Sequence, residues 1–165
     1  MQAIQSVRAA LEDPIFGRIV SHKFFLSPHD MGAYLYLDDE LCRLETCRLM
    51  IEETRDQWLT ESGTMATAKQ RNWRLMPGAI NNKSLRLEGI HGCISVDCRL
   101  AFYDEEQFYF RHEIFAENGT PIGRALSRAS FKSRTRMITP GEAMARLLVD
   151  LQPKTKRLAP VSIAS

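Results

Sequence analysis

Asp38-Asp39-Glu40-Leu41-Cys42-Arg43-Leu44-Glu45-Thr46-Cys47-Arg48-Leu49-Met50-Ile51-Glu52-Glu53-Thr54-Arg55-Asp56-Gln57-Trp58 is the stretch that decides the fold. Leu37, Leu41, Leu44, Ile51 and Trp58 recur at helical spacing, and Cys47, Met50 and Thr54 broaden the stripe. Asp38 or Asp39 can serve as the N-cap, and the acidic run Asp38-Asp39-Glu40 suits the positive end of a helix dipole. Arg43, Arg48, Glu52, Glu53, Arg55 and Asp56 interleave both signs of charge, as a partly solvated face does. Gly63, following Ser62, is a natural stop. The spacing therefore predicts one long helix, and the rest of the chain is read outward from it.

Upstream, Ile19 to Leu26 reads as a strand, joined to the helix by the irregular Ser27-Pro28-His29-Asp30-Met31-Gly32 and by Tyr34-Leu35-Tyr36-Leu37. Before that strand, Ile4, Val7 and Leu11 share a stripe that breaks at Asp13-Pro14, which predicts a short amphipathic helix. Downstream, residues 63–72 are small and polar and read as a loop. From Trp73 the period changes to two. A strand over 73–87 is interrupted by Pro77-Gly78, the mark of a bulge or bend, and a turn covers 88–92. Ile94, Val96, Cys98, Leu100 and Phe102 share one face of the next strand, and Asp104-Glu105-Glu106 closes a tight connection. Phe108, Phe110, His112 and Ile114 alternate before Asn118-Gly119, a strong hairpin signal. In the partner strand Ile122 to Phe131, the residues Gly123, Ala125, Ser127 and Ala129 present a small-residue face, against which the long helix can pack closely. Thr139 and Pro140 open a last helix over 140–151. The expected organisation is a single domain over 1–152, with a basic tail at 153–165.

A chain of 165 residues at 44% hydrophobic and 25% charged is ordinary for a globular domain. A net charge of +2 gives no argument for nucleic acid, although basic residues cluster at Lys132-Arg134-Arg136 and Lys154-Lys156-Arg157. No apolar run approaches the roughly 20 residues of a membrane span, and the N-terminus lacks a signal peptide's apolar core, so a cytoplasmic location is expected. Cys42 and Cys47, like Cys93 and Cys98, are spaced by five, which suits reduced thiols rather than a metal site.

One strand, one long helix and a run of antiparallel strands make an α+β pattern in which the sheet wraps the helix. The stretch Asp30 to Glu45, read with Asn82-Lys83-Ser84-Leu85-Arg86-Leu87 and with Arg99-Leu100-Ala101-Phe102-Tyr103-Asp104 before Gln107-Phe108-Tyr109-Phe110, resembles the hot-dog-fold thioesterase superfamily. The likeness is to the branch of hydroxybenzoyl-CoA thioesterase and its relatives, and it spans roughly Phe24 to Phe131. In that branch an acidic pair precedes the central helix. Here Asp30 stands at the first acidic place and Gly32 at the second, and Tyr36-Leu37-Asp38-Asp39 replaces the family's H-x-N-N.

The resemblance implies a hot-dog domain, homodimeric or a dimer of dimers, that hydrolyses acyl thioesters of coenzyme A or of an acyl carrier protein. Coenzyme A or phosphopantetheine then arrives as part of the substrate, with no resident cofactor and no metal. It implies that the N–H of Asp39, at the helix start, polarises the thioester carbonyl. Asp30 is the candidate base or nucleophile, His29 an alternative base, and Glu45, two turns into the helix, a further catalytic carboxylate. Lys132, Arg134 and Arg136 are candidates for the phosphates. Each has a plainer reading: Asp39 caps the helix, Asp30 makes local loop bonds, Glu45 is a solvated charge, and the cations lie on a solvated strand edge. His112, among apolar neighbours, reads as a core histidine, and His91, between glycines, as a turn residue. Gly32 keeps a second function open, a hot-dog protein that binds an acyl group or serves as a subunit without hydrolysing anything. A nuclear-transport-factor-like cone, as in small subunits of ring-hydroxylating oxygenases, is a third. Dimerisation is expected to pair the strand Ile94 to Tyr103 and its neighbours across a two-fold axis, since an open edge is a liability.

Overall fold

The computed structural model describes residues 17–26, 39–83, 86 and 92–152. The expected helix over 3–11, the segment holding His29, Asp30 and Gly32, the turn at 88–91 and the tail at 153–165 lie outside the described residues. The order along the chain is β1 (Ile19–Leu26), α1 (Asp39–Glu61), α2 (Thr64–Gln70), β2 (Arg74–Lys83), β3 (Gly92–Tyr103), β4 (Phe108–Phe115), β5 (Pro121–Lys132), β6 (Met137–Ile138) and α3 (Pro140–Leu151). The strands form one antiparallel sheet in the order β1-β3-β4-β5-β2, with β6 pairing β5.

The predicted long helix is α1, with 23 residues and a length of about 35 Å. Gly63, at φ 88°, ends it where its glycine allows the left-handed turn. Its inward stripe seats Cys47, Met50, Ile51, Trp58 and Leu59, all buried, on the sheet. The first half packs with Ile94, Val96, Ile114, Ile122 and Ala125. The second half packs with Leu100, Phe108, Phe110, Ala129 and Phe131, and with Ala143, Met144 and Leu147 of α3. Trp58 stands edge-on to Phe110 at 5.3 Å and donates its indole N–H to the Arg18 carbonyl at 2.9 Å. The small residues Ala125, Ser127 and Ala129 are buried, as expected of the strand beneath the helix. The arrangement is the hot-dog one, a sheet wrapped on one long helix, and not the cone of the third reading.

Three expectations need correction. Residues 64–70 are helical rather than loop: Thr64, Thr67 and Ala68 form a buried face whose hydroxyls are bonded, Thr64 to Ser62 at 2.8 Å and Thr67 to Asp150 at 2.7 Å. Polar residues thus line the inward stripe, which hides it from a hydrophobicity reading. Phe102 does not continue the inward face of β3. The β3–β4 register shifts between Leu100 and Phe102, so one added residue flips the pleat. Phe102 is left 40% exposed and stacked on Tyr109 at 4.3 Å, while Tyr103 turns toward Phe108 at 6.1 Å. Finally, β3 cannot pair with a second subunit, because β1 takes one of its edges and β4 the other. The open edges of the sheet path are β1 and β2.

Other features follow the sequence closely. The β2–β5 register shifts between Pro77 and Ile80, where the bulge was expected. Gly119, at φ 83°, turns the β4–β5 hairpin. Thr139 Oγ1 accepts from the Glu142 N–H, capping α3 with Pro140 in its first turn.

Candidate active site

The candidate site that the sequence points to is at the N-terminal end of α1. An α-helix leaves its first four N–H groups without intrahelical partners, and its dipole is positive there. α1 begins at Asp39, and its first half lies over the end of the sheet formed by Ile94, Ile114 and Ile122. The positive end of the helix dipole therefore lies toward Asp39, and Cys47, Met50 and Ile51 follow on the branched residues of the sheet. Asp30 and His29 belong to the connection between β1 and α1, outside the described residues.

Glu45 lies where the helix spacing places it, two turns in. Its carboxylate is occupied: it accepts from Arg48 Nε at 2.9 Å and from Arg48 Nη2, while Arg48 Nη1 donates to Glu52 at 2.8 Å. The hydrogen bonds from Arg48 hold the Glu45 carboxyl below the usual carboxylate range. A carboxylate so paired is a poor proton acceptor.

The three cations separate. Arg136 makes a two-pronged pair with Glu142, each N···O at 2.8 Å. Lys132 and Arg134, joined by Arg74 of β2, line an open pocket of about 360 Å³ with Asn72, Met76 and Ser133. Arg74 and Lys132 pair in register and share the outer face of the sheet, since their neighbours Leu75 and Phe131 belong to the core. This corner lies at the end of the sheet where Leu75 and Phe131 pack in the cluster that holds Trp58 and Leu59 of the second half of α1.

Two sets hold residues that the sequence reading missed: Arg55, expected on a partly solvated helix face but buried, and three arginines of the outer sheet face. The first is a buried polar layer between the two apolar clusters. Arg55 is 2% exposed, with Nε and Nη2 donating to Asp56 Oδ1 at 2.9 and 2.8 Å and Nη1 donating to the Arg128 carbonyl at 3.4 Å. His112 is fully buried, its Nε2 2.7 Å from Ser127 Oγ and its Nδ1 without a hydrogen-bond partner. Burial first, then the nearby Arg55 charge, push its pKa down to about 3. His112 is the core histidine its neighbours predicted, neutral and sealed off from any substrate. Arg55 stands in the stripe, four residues after Ile51 and three before Trp58, but its charge outweighs that position in a sequence reading. Burial likewise pushes the Cys47 thiol up to about 12 and raises that of Cys98, which leaves both protonated and inert. The second missed set is a group of arginines: Arg111 and Arg124, which the alternation of β4 and β5 places opposite the core, and Arg86, which lines a groove with Arg124.

No sequence-family model matches the chain, and no curated protein matches it in sequence. Solved structures do match. A 1,4-dihydroxy-2-naphthoyl-CoA thioesterase from Synechocystis aligns at TM-score 0.57 and 12% identity, over 81% of this chain and 98% of that one. A mutant 4-hydroxybenzoyl-CoA thioesterase in complex with 4-hydroxybenzoyl-CoA aligns at TM-score 0.58 and 12% identity, over 79% and 99%. A Staphylococcus aureus protein in complex with CoA aligns at TM-score 0.58 and 10% identity, over 81% and 83%. The chain has the hot-dog fold that these solved structures share. Among the described residues, no helix is long and apolar enough to cross a membrane.

Proposed function

We propose that this protein is an acyl-thioester hydrolase acting on acyl-CoA or on an acylated carrier protein. The observation that carries the reading is α1: a 23-residue helix seated through Cys47, Met50 and Ile51 on the apolar end of the sheet, in a fold shared with solved acyl-CoA thioesterases. The thioester carbonyl is polarised at the start of α1, at Asp39, and Asp30 activates water or attacks directly, with His29 beside it. Coenzyme A or phosphopantetheine comes with the substrate and is no resident cofactor.

The dimer we propose pairs β2 with its copy across a two-fold axis. Antiparallel pairing there sets the Arg74, Lys132 and Arg134 corner of one protomer beside the α1 N-terminal end of the other. Cations and helix start then lie at the same end of the continued sheet, on its two faces, where a substrate that passes around the rim meets both.

The test replaces the proposed base. Asp30→Asn lowers kcat/KM at least about a hundredfold with little change in melting temperature. Glu45→Gln is the control and keeps most of the turnover, since Arg48 already occupies that carboxylate. Full turnover in Asp30→Asn overturns the assignment. A second reading is an acyl-binding hot-dog protein without turnover. It is favoured by Gly32 at the usual acidic place and by Glu45, the one candidate carboxylate with a described side chain, being held by Arg48.

A further inference from the structure

We infer that the outer face of the sheet, at the end where α1 begins, is a docking surface for an acidic carrier protein, so that the hydrolysed acyl group arrives on a protein-borne phosphopantetheine arm. This rests on the thioesterase reading and names its substrate class.

The face is uncovered by the described helices: α1 and α3 pack on the opposite side, where the core clusters lie, and α2 contributes Ala68 to the same core. Two open grooves of about 320 and 240 Å³ run along it and share Arg124. Arg86 lines the first and Arg111 the second. Arg111 is paired with Glu113 at 3.0 Å, so the acid of the groove is already neutralised, whereas the exposed guanidinium groups of Arg86 and Arg124 have no side-chain partner among the described residues. The Arg86 backbone N–H donates to the Ile122 carbonyl at 2.7 Å, which pins that residue to the groove rim.

Breadth decides between a small anion and a protein. The register continues the surface through Pro121 and Phe115 to Ser95 and the exposed Lys23 of β1. From Lys23 to Arg124 the cations span three strand spacings, about 15 Å, wider than one phosphate group. Apolar side chains alternate with them. Phe25, beside Lys23 on the same outer face of β1, is 75% exposed, and Phe115 and Leu126 are half-buried in the grooves. Spread cations around exposed apolar anchors complement a helix bearing carboxylates and a few apolar residues. The surface also lies at the end of the sheet on which the first half of α1 packs, since Ile122 lines the first groove and belongs to the core cluster of Cys47, Met50 and Ile51.

The experiment compares octanoyl-CoA and octanoyl-loaded bacterial acyl carrier protein as substrates of the full chain and of Arg86→Glu/Arg124→Glu. It also measures binding of the apo carrier protein, which lacks the arm. Lys69→Glu, an exposed charge change on α2 away from the groove, is the control. The double variant should lose at least tenfold in kcat/KM on the carrier-protein substrate and stay within about twofold on octanoyl-CoA. The apo carrier protein should bind the wild type, more weakly as salt rises, and not the double variant. Equal losses on both substrates overturn the inference and assign the arginines to a phosphate common to both. Failure of the apo carrier protein to bind also overturns it. Groove-dependent binding with no thiol released from either substrate supports the docking surface and defeats the hydrolase reading instead.

Discussion

His112 illustrates how one buried side chain couples the fold to pH. Its folded pKa of about 3 lies below the ordinary value of 6.5, because burial and the Arg55 charge both disfavour imidazolium. The unfolded chain therefore binds a proton that the native state refuses as pH falls from about 6.5 toward 3. Stability present above that range is lost through it, with a slope from this group of at most about 1.4 kcal/mol per pH unit. Urea unfolding at a series of pH values should show that slope in the wild type and a shallower one in His112→Leu. Equal slopes would mean the histidine does not control acid unfolding. The sequence made His112 legible as a core residue because its β4 neighbours Phe110 and Ile114 alternate around it. Arg55 was not legible, since a charge on a helix is usually solvated and only the tertiary packing decides otherwise. Nor could spacing show that Arg48 claims Glu45, because rotamer choice sets that pair rather than position.

Among the elements, β2 and its partner β5 show where local chemistry suffices. Pro77-Gly78 announces a bulge, and the structure adds the reason for the glycine: a Cβ at Gly78 would lie 2.8 Å from Arg128 Cβ and 3.3 Å from its carbonyl oxygen. Gly78→Ala should therefore destabilise the protein by about 1–3 kcal/mol in chemical denaturation, the usual scale of overpacking. An unchanged midpoint would mean that the bulge relaxes freely. Thr139→Ala should remove the side-chain cap of α3, at about 1 kcal/mol. α1, β1, the Asn118-Gly119 hairpin and α3 were all readable from period and punctuation. α2 was not, because its inward residues Thr64 and Thr67 count as polar until Ser62 and Asp150 are seen to bond them. The flip at Phe102 was equally hidden, since a bulge without glycine or proline leaves no mark on an alternating strand.

At the scale of the whole molecule, the proposed assembly and the proposed chemistry are linked. Sedimentation at micromolar concentration should show at least twice the 18.9 kDa of one chain. A lone monomer would contradict the β2-paired dimer. Mixing Asp30→Asn with Lys132→Glu/Arg134→Glu, each inactive alone, should restore turnover, because a heterodimer keeps one site with both parts intact. If base and cations belonged to the same protomer, every site in the mixture would stay broken. The order of elements carried the fold from the sequence, as the hot-dog architecture bears out, but the sheet order 1-3-4-5-2 shows that β3, flanked by β1 and β4, could never be the dimer edge. Thioester hydrolysis remains the central claim, and release of free thiol from the wild-type protein tests it most directly. Across a panel of aliphatic and aromatic acyl-CoAs and an acylated carrier protein, at least one member should be hydrolysed, with turnover that Asp30→Asn removes. No thiol release from any member, together with thermal stabilisation by an acyl-CoA, would contradict the hydrolase and leave an acyl-binding protein.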